Sequence, residues 1–416
     1  LRGLTLACSS LFPVHAPLVP LLEDGVISRI VTVYARGPVA DAIMAGKLAD
    51  PALLQTHGGR ARAISSGQLQ IDLAFIGAAV ARPDGAATGR AGTLACGPLG
   101  YAYVDAAYAR NSVVVAHDIT TQPLPLTCIP GENVDALVQL PYPGQPEGIL
   151  SGATVPSATS AAKRIGELVA AAVAASGSLR PGMSMQTGAG GYSLGAINLI
   201  GQLMAQDGIC GDFLSGGITG AHVAMQQAGL FSSIRDVQCF DQVAVASSIT
   251  NPMHVMMTAA EYASPLYPRP TVDALDVVIL GAAEIDSDFN VNVTVGGDGR
   301  LIGGPGGHPD TAEGASLVII TTQLTGGGFA KLVNQVSCIT TPGRHVDLLV
   351  TDQGIAVNSN RADLAERLRH AGLPIYDFND LRRMAKDEAA NLPISVPEIA
   401  PRLIIEDRHG GALDIA

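Results

Sequence analysis

Residues 72–79 read DLAFIGAA, and residues 276–283, which begin 204 positions later, read DVVILGAA. Three further pairs of stretches recur in the same order: EDGVISRI with QAGLFSSI, SVVVAHDI with SLVIITTQ, and VDALV with VDLLV. The first two of these pairs share the offset of 204, and the last has an offset of 212. The matched stretches are short apolar runs, which are typical of buried parallel strands. The chain therefore contains two copies of one unit.

A repeat this long indicates duplicated domains, since solenoid repeats are roughly 20–50 residues. Helical patterns lie between the matched stretches, and strands that alternate with helices predict an α/β fold with mostly parallel sheets. Three helices are predicted, at 158–177, 360–372 and 376–390. The first lies between the two copies, so we predict one domain at 1–155 and a second at 156–416.

The first copy lacks a counterpart of residues 158–204, because Leu1 corresponds to Ala205 of the second copy. Either further residues lie upstream of Leu1 or the first domain is open at this place, and we expect the former, with a truncated first domain.

Composition limits the classes of function. The net charge of −12 and the absence of Trp argue against a nucleic-acid surface, which needs a basic face and stacking aromatic residues. No apolar run approaches the roughly 18 residues of a membrane helix, and no signal-peptide pattern is present. The six cysteines are scattered: Cys8, Cys96, Cys128, Cys210, Cys239 and Cys338. We expect reduced thiols in a cytoplasmic protein that binds no metal.

Two glycine-dense segments are candidate sites. Residues 303–315 read GGPGGHPDTAEGA between apolar runs at 275–280 and 317–321, and residues 187–191 read TGAGG. Glycine loses much backbone entropy on folding, so this density is expected where a ligand approaches the backbone or N–H groups point at an anion. A glycine-rich surface hairpin is the alternative for one such loop, and the second loop favours a site.

Residues 284–292 alternate polar and apolar side chains. A period of two places the polar ones on a single face of a predicted strand: Glu284, Asp286, Asp288, Asn290 and Asn292. That face is either a solvent-facing edge or a wall of a cleft near the glycine turn.

Two catalytic signals are absent. The sequence has no G-x-x-x-x-G-K-[ST] phosphate-binding loop. It also has no glutamate between Glu167 and Glu261, a gap that contains 187–191 and the segment GDFLSGGITGAHVAMQQAGL at 211–230. If these residues line the site, no local glutamate acts there as a covalent nucleophile. Their backbone N–H groups and hydroxyls suit an oxyanion, where one donor contributes about 3 kcal/mol.

Nine stretches together resemble the α subunit of citrate lyase: SSLFPVH, THGGRARAI, IDLAFIGAA, CGPLGYAYVDAAYA, QTGAGGYSLG, GGITGAHV, EIDSDFNVNV, GGHPDTAEGA and TPGRHVDLLVTDQGIAVN. The resemblance extends from about Ser9 to the end of the chain. It implies two homologous CoA-transferase-like α/β domains, which agrees with the duplication.

The resemblance implies an acyl-carrier-protein transferase. Citrate would replace the acetyl group of a thioester, giving citryl thioester and acetate, and a β subunit would cleave the product to oxaloacetate. The thiol would be a CoA-like phosphopantetheine arm on the acyl carrier (γ) subunit. The family is expected to form a mixed anhydride of the two acids instead of a glutamyl intermediate, which fits the glutamate gap. The expected partners are the β and γ subunits, citrate and acetate, in an oligomer.

The resemblance also implies site residues. An oxyanion loop would contain Gly188, Gly190 and Gly191, and Gly216, Gly217 and Thr219 stand where covalent relatives have their glutamate segment. The thioester arm or the carboxylates would contact Gly303, Gly304, Gly306, Gly307, His308, Asp310 and Thr311. Citrate would contact Ser9, Ser10, His15, Arg36, His57 and Arg60, whose arginines can bind carboxylates through two hydrogen bonds. His308 is the strongest single candidate, whereas His117, His254 and His345 are expected to be packing or surface residues.

The sequence departs from the family pattern at Pro305, at Pro309 and at 325–331, which leaves citramalate open as the acid. Two rival functions remain. One is a covalent CoA-transferase or acyl-CoA hydrolase that uses Glu284 or Glu261, and the other is a non-catalytic scaffold that docks a carrier. An acidic carrier would need a basic surface, for which the candidates are Arg361, Arg367, Arg369, Arg382, Arg383 and Lys386.

Overall fold

The computed structural model describes residues 1–149, 159–188, 190–390 and 402–416. The strands of the first half are β1 Leu4–Ala7, β2 Ser10–Leu11, β3 Ile27–Thr32, β4 Tyr34–Ala35, β5 Ala52–Leu54, β6 Ala74–Ala81, β7 Ala87–Thr88, β8 Ser112–Ile119 and β9 Ala136–Gln139. Those of the second half are β10 Met185–Thr187, β11 Gly211–Ile218, β12 Phe231–Cys239, β13 His254–Met256, β14 Val277–Gly281, β15 Glu284–Ile285, β16 Val291–Asn292, β17 Leu317–Thr321, β18 Thr325–Gly326, β19 Phe329–Ala330, β20 Leu348–Val350, β21 Ile355–Val357, β22 Leu403–Glu406 and β23 Ala412–Ile415.

The α-helices lie mostly between these strands. They are α1 Val19–Glu23, α2 Pro38–Met44, α3 His57–Ser65, α4 Ala102–Tyr108, α5 Ser160–Ser176, α6 Gly191–Gln206, α7 Gly220–Gln227, α8 Gln242–Thr250, α9 Ala259–Ala263, α10 His308–Gly314, α11 Ala362–His370 and α12 Phe378–Glu388. Short 3₁₀ turns occupy Pro13–Leu18, Gly131–Asn133, Pro146–Ile149, Thr271–Ala274 and Gly343–His345. Within the described ranges, none of the helices combines the length and the hydropathy that crossing a lipid bilayer requires.

The chain forms two compact units, and each takes residues from both halves of the sequence. The first unit contains Leu1–Arg60, Ala158–Ser178 and Val277–Ala416, and the second contains Ala61–Ser157 and Leu179–Asp276. This division differs from a division by sequence repeat. The predicted domain boundary near residue 155 lies outside the described residues, so the two repeat-based domains stay a prediction.

The first unit is built on two sets of mostly parallel strands. One sheet has the order β1-β3-β5-β22-β23, in which β22 and β23 are antiparallel. The other set has the order β14-β17-β20-β21, in which only the β20–β21 pair is antiparallel. Buried aliphatic side chains form a core against each set, and β14 and β17 are apolar along almost their whole length.

The second unit repeats this plan. The strands β13-β12-β11-β10 are parallel throughout, and a four-stranded sheet has the order β7-β6-β8-β9 with only the β6–β7 pair antiparallel. Its cores contain mostly small apolar residues such as Ala74, Ala78 and Val114.

The predicted duplication agrees with the strand pairing. The four repeated stretches correspond to β3 and β12, β6 and β14, β8 and β17, and β9 and β20. The parallel run β6-β8-β9 matches β14-β17-β20, and β1-β3-β5 matches β11-β12-β13. The predicted α/β fold with mostly parallel sheets is confirmed.

The three predicted helices are also confirmed, as α5, α11 and α12. The Thr159 hydroxyl accepts a hydrogen bond from the Ala162 N–H at the start of α5, and Gly177 ends the helix with a φ of 83°. Asp377 caps α12 in the same way, by accepting from the Asn379 N–H. Local capping residues therefore set these boundaries.

The prediction of one continuous strand at 284–292 was wrong. The segment is a hairpin, in which Glu284 pairs with Asn292 across the antiparallel strands β15 and β16. The Asp286 carboxylate accepts N–H groups from Asp288 and Asn290, and this turn competes with extended backbone. Phe289 completes the turn with a φ of 63°. The alternation of side chains therefore reflected two short strands and a carboxylate-stabilised turn.

Candidate functional site

The residues predicted for the site fall into two groups, one in each compact unit. The second unit contains the loop after β10 and the end of β11, and the first unit contains the glycine turn and the citrate candidates.

The loop after β10 leads into the N-terminus of a long helix. Thr187 ends β10, and α6 begins at Gly191 with Gly190 as its N-cap. The first N–H groups of a helix have no partner inside it, and the helix dipole favours an anion there. A methyl group added at Gly190 would meet no atom within 4 Å, so packing does not require a glycine at this position. A ligand that approaches the backbone closely would still require a glycine at position 190.

Gly216 leaves no room for a side chain. Its φ is 103°, a conformation that residues other than glycine rarely adopt. A Cβ atom at this position would lie 2.7 Å from both Cδ and Nε2 of Gln186. Tyr262 holds that amide, since Gln186 Nε2 donates to its hydroxyl at 2.7 Å. At Gly217, an added Cβ would meet the ring of Phe240 at 2.1 Å. This segment therefore cannot present a carboxylate nucleophile.

Thr219 contacts a histidine that the sequence did not single out. The N–H of Thr219 donates to Nδ1 of His222 at 3.2 Å, and the Thr219 hydroxyl lies 3.0 Å from the same nitrogen. The other ring nitrogen, Nε2, lies 3.0 Å from the hydroxyl of Thr187. The spacing Thr-x-x-His resembles a capping box, which is the signal that would have indicated this contact.

Two N–H groups expected to act as oxyanion donors are already used by the protein. Thr219 N–H donates to His222, and Gly220 N–H donates to Oδ2 of Asp241 at 2.6 Å. Nearby, the buried oxygens Ser215 Oγ and Gln186 Oε1 have no hydrogen-bond partner within the described residues. The loop that contains Gly188 and Gly190 is therefore the better candidate for backbone donors.

In the first unit, the glycine turn packs directly on backbone. Added Cβ atoms at Gly303 and Gly304 would lie 2.3 Å from the carbonyl oxygens of Val293 and Val33, respectively. The Ala35 N–H donates to the Gly303 carbonyl at 3.1 Å. These glycines are thus required by close contact between chain segments, and their predicted contact with a thioester arm stays a prediction.

His308, the strongest sequence candidate, has both ring nitrogens bonded to the protein. Nε2 lies 2.9 Å from the Gly281 carbonyl oxygen, which can only accept, so Nε2 has the hydrogen. Nδ1 then accepts from the Thr341 hydroxyl at 2.7 Å. Burial lowers the pKa of His308 to about 4, which keeps the ring neutral. In this geometry His308 fixes the turn and has no ring nitrogen free for a ligand.

The same turn also contacts the start of α3. The Gly58 N–H donates to Oδ2 of Asp310 at 2.8 Å, and the His57 N–H donates to the Gly306 carbonyl at 2.9 Å. Thr311 donates its hydroxyl hydrogen to the Gly307 carbonyl at 2.8 Å, within its own helix. Burial raises the pKa of Asp310 to about 7. A carboxyl group that titrates near neutrality is therefore fixed at a helix N-terminus.

The citrate candidates differ in their surroundings. His57 and Arg60 lie at the start of α3 beside the glycine turn. Burial, and to a lesser extent the positive charge of Arg60, lowers the pKa of His57 to about 3. Arg60 is buried, with only 4 % of its surface exposed. Arg36 is half-buried, and its guanidinium lies over the ring of Phe12. Nδ1 of His15 accepts the Phe12 N–H at 2.9 Å.

The serines predicted to bind citrate lie on the strand pair β2 and β4 or directly before it. Ser10 pairs with Tyr34, and the Ser9 carbonyl accepts the Val33 N–H at 3.1 Å. Because Val33 also contacts Gly304, the structure brings Ser9 and Ser10 near the glycine turn through backbone contacts.

A partly buried ion pair that the sequence did not indicate joins Arg408 to Glu313 of α10. Nε and Nη2 of Arg408 donate to Oε1 of Glu313 at 3.0 and 2.9 Å, and His409 Nε2 lies 2.8 Å from the same oxygen. The motif RHGG gave no periodic or spacing signal that would have linked it to residue 313.

The two glutamates of the rival covalent mechanism are both engaged. Glu284 accepts hydrogen bonds from Asn292 Nδ2 at 2.9 Å and from the N–H and hydroxyl of Ser337 at 2.8 and 3.0 Å. Glu261 accepts the Thr258 N–H at 2.7 Å in a capping box. Each carboxylate therefore has a structural partner.

The sequence of the whole chain, residues 1–416, matches a family model described as "Citrate lyase, alpha subunit". The chain belongs to the citrate lyase alpha subunit family. The citrate lyase alpha chain of Escherichia coli strain K12 is 42% identical over 385 residues, which is 92% of this chain and 76% of the relative. The predicted family, and with it the predicted function as a citrate lyase alpha chain, is confirmed.

Solved structures give the same fold. A structure described as the putative alpha subunit of citrate lyase from Streptococcus mutans in complex with citrate has a TM-score of 0.95 and 37% identity. The match covers 99% of this chain and 81% of the Streptococcus mutans chain. An acyl-CoA transferase from E. coli O157:H7 has a TM-score of 0.57 at 16% identity, over 95% of this chain and 88% of that one. That likeness confirms the predicted CoA-transferase-like fold.

Three histidines of this citrate lyase alpha family member were expected to be packing or surface residues. His254 is buried and bonded to Ser247 and Asp236, at 3.0 and 2.9 Å. His117 and His345 are partly exposed.

Three of the six basic residues predicted to form a patch on α11 and α12 are in ion pairs. Arg361 pairs with Asp347 at 2.5 Å, Arg367 pairs with Asp363 at 3.9 Å, and Arg383 pairs with Asp380. Its use for docking a carrier stays a prediction.

Proposed function

We propose that the chain transfers an acyl-carrier thiol from an acetyl thioester to citrate, as the alpha subunit of a citrate lyase complex. The products are citryl thioester and acetate. The thiol belongs to a CoA-like phosphopantetheine arm on an acyl carrier subunit, and a β subunit cleaves the citryl thioester to oxaloacetate. Membership of the family and the likeness to a relative crystallised with citrate support citrate as the acid.

The absence of space at Gly216 is the observation that supports a direct transfer. The Gln186 amide occupies the place where a side chain at 216 would begin, and Glu261 and Glu284 are engaged in structural hydrogen bonds. A mechanism without an enzyme nucleophile agrees with these contacts.

The direct reaction has two balanced steps. A carboxylate oxygen of citrate attacks the acetyl carbonyl carbon, the carbon–sulfur bond breaks, and the thiolate leaves, so that acetyl and citryl groups share one anhydride oxygen. The thiolate then attacks the citryl carbonyl carbon, and the bond to the anhydride oxygen breaks. Acetate departs with that oxygen, and no atom of the chain forms a covalent bond.

The chain contributes binding and charge stabilisation. Each step places negative charge on a carbonyl oxygen, and preorganised donors at such an oxygen lower the barrier. The N–H groups at the start of α6, beside Gly190, are suited to this role. His57 and Arg60, next to the glycine turn, are the candidates for contact with citrate carboxylates.

The test is a transfer assay with the acetylated carrier, citrate and the purified chain. Mass spectrometry of the carrier should show the acetyl group replaced by a citryl group, with acetate released in equal amount. Citramalate is the matched alternative acid. Transfer to citramalate alone would contradict the assignment of the acid, and loss of acetyl groups without a new acyl group would indicate a hydrolase.

A further inference from the structure

The contact of His222 with Thr219 fixes which ring nitrogen has a hydrogen. A backbone N–H can only donate, and the Thr219 N–H points to Nδ1 of His222 at 3.2 Å. Nδ1 is therefore an acceptor. His222 is fully buried, and burial lowers its pKa to about 4, so the ring is neutral with its hydrogen on Nε2.

That hydrogen determines the role of Thr187. Among the described residues, the hydrogen-bond partner of Nε2 is the Thr187 hydroxyl oxygen, 3.0 Å away, so Thr187 accepts from His222. Its own hydroxyl hydrogen must then point elsewhere. In the part of the chain that the structure describes, Thr187 Oγ1 has no second hydrogen-bond partner. Among these residues, His222 thus leaves Thr187 as a buried donor without an acceptor.

The location of Thr187 indicates what it donates to. It is the last residue of β10, only 4 % exposed, and it directly precedes the loop that leads to the N-terminus of α6. A buried hydroxyl donor without an acceptor is costly unless a ligand completes it. The dipole of α6 favours negative charge at the N-terminus of the helix, so the fitting ligand atom is an oxygen that gains negative charge.

We propose that Thr187 donates a hydrogen bond to the reacting acyl oxygen and that His222 is the positioning residue that holds Thr187 in this orientation. This inference rests on the proposed transferase function. It assigns His222 no proton transfer, because both of its nitrogens are engaged with Thr219 and Thr187.

The test compares variants of the two residues in the transfer assay with acetylated carrier and citrate. Thr187→Val keeps the shape and removes the donor, so kcat should fall about 100-fold while KM for citrate changes less than about 3-fold. Thr187→Ser keeps the hydroxyl and should stay within about 3-fold of the parent rate. A Thr187→Val rate within about 3-fold of the parent overturns the proposal.

Variants at His222 test whether this residue orients the Thr187 hydroxyl or only stabilises the fold. An amide has an acceptor and a donor about as far apart as the two ring nitrogens, so His222→Gln should retain most activity and an unchanged pH profile between pH 5 and 8. His222→Leu should lose about 10-fold in kcat. Because His222 acts through Thr187, the double variant Thr187→Val/His222→Leu should be no slower than Thr187→Val alone. Effects that multiply would overturn the positioning role.

Two controls keep the outcome clear. If His222→Leu does not fold, the Thr187→Val and Thr187→Ser pair still decides whether the hydroxyl matters. Nitrogen-15 spectra of the imidazole should show a hydrogen on Nε2 and none on Nδ1, and the opposite tautomer would contradict the hydrogen-bond chain. A parent protein that gives no citryl thioester defeats the proposed function as well, whereas an active parent with an equally active Thr187→Val defeats this inference alone.

Discussion

A Cβ atom on Gly216 would lie 2.7 Å from Cδ of Gln186, and this contact excludes a side chain at position 216 of β11. The Gln186 amide is itself fixed by the Tyr262 hydroxyl, so it cannot move away without losing a buried hydrogen bond. The geometry thus accounts for the absence of a side chain at this position.

Gly216→Ala should destabilise the protein and reduce transfer. The φ of 103° is strained for alanine, and the new methyl group would displace the Gln186 amide, so we expect a loss of about 2 kcal/mol in the free energy of unfolding. Chemical denaturation measures this change. The control is Gly195→Ala in α6, where an added Cβ meets nothing within 4 Å and helix propensity should raise stability by up to about 1 kcal/mol. Equal effects of the two substitutions would contradict the steric account.

His308→Phe should destabilise the glycine turn. It removes the donor to the Gly281 carbonyl and the acceptor for Thr341, two hydrogen bonds that together contribute about 2 kcal/mol. The control His370→Phe alters an exposed residue and should change stability by less than about 0.5 kcal/mol.

The free energy of unfolding of the parent protein should decrease as the pH is lowered, partly because of His308. Its folded pKa is lowered to about 4, so between pH 6.5 and 4 the unfolded chain binds a proton that the folded chain does not. Stability therefore declines as the pH falls through this window, and His308→Phe should show a shallower decline. Denaturation at several pH values measures both slopes, and identical slopes would refute the assignment.

Asp310 should give the parent protein the opposite pH dependence, which Asp310→Asn should remove. Because the folded pKa of Asp310 is raised to about 7, the folded chain retains a proton that the unfolded chain has lost between pH 4 and 7. Ionisation of Asp310 therefore costs stability as the pH rises, on the order of 3 kcal/mol by pH 8. Asparagine can still accept the Gly58 N–H, so the variant should be more stable than the parent at pH 8 and similar at pH 4. Asp50→Asn, at an exposed position, should leave the curve unchanged.

Glu313→Ala should destabilise the first unit. Arg408 is buried, with 8 % of its side chain exposed, and two of its nitrogens donate to Glu313. The substitution removes both of these hydrogen bonds from a largely buried guanidinium, and with Glu313 a quarter exposed we expect a loss of about 2 kcal/mol. Glu366→Ala on the exposed face of α11 is the matched control and should be nearly neutral. A fall in stability of the same size in both variants would argue against the pair.

The sequence was informative where the signal is local or repeated. The paired stretches that begin at Asp72 and Asp276 predicted parallel strands correctly, and Gly177 correctly predicted the end of α5. Side-chain alternation failed at 284–292, because the turn depends on which N–H groups the Asp286 carboxylate accepts.

Contacts between distant residues were not predictable from a single sequence. The density of glycine at 303–307 predicts close approach of a ligand, whereas Gly303 and Gly304 lie against the backbone of Val293 and Val33. Sequence does not distinguish these two causes of a required glycine. The bonds of His222 to Thr187 and of Arg408 to Glu313 join residues 35 and 95 positions apart, without any spacing signal.

The most direct test of the central claim follows one oxygen atom through a single turnover. The acetylated carrier, an excess of the chain and citrate labelled with ¹⁸O in its carboxylates are mixed, and the first acetate released is analysed by mass spectrometry. Direct transfer predicts that this acetate contains one ¹⁸O from citrate and that the mass of the chain is unchanged. Unlabelled acetate, together with ¹⁸O in a glutamate-containing peptide of the chain, would contradict the account and establish a covalent glutamyl route.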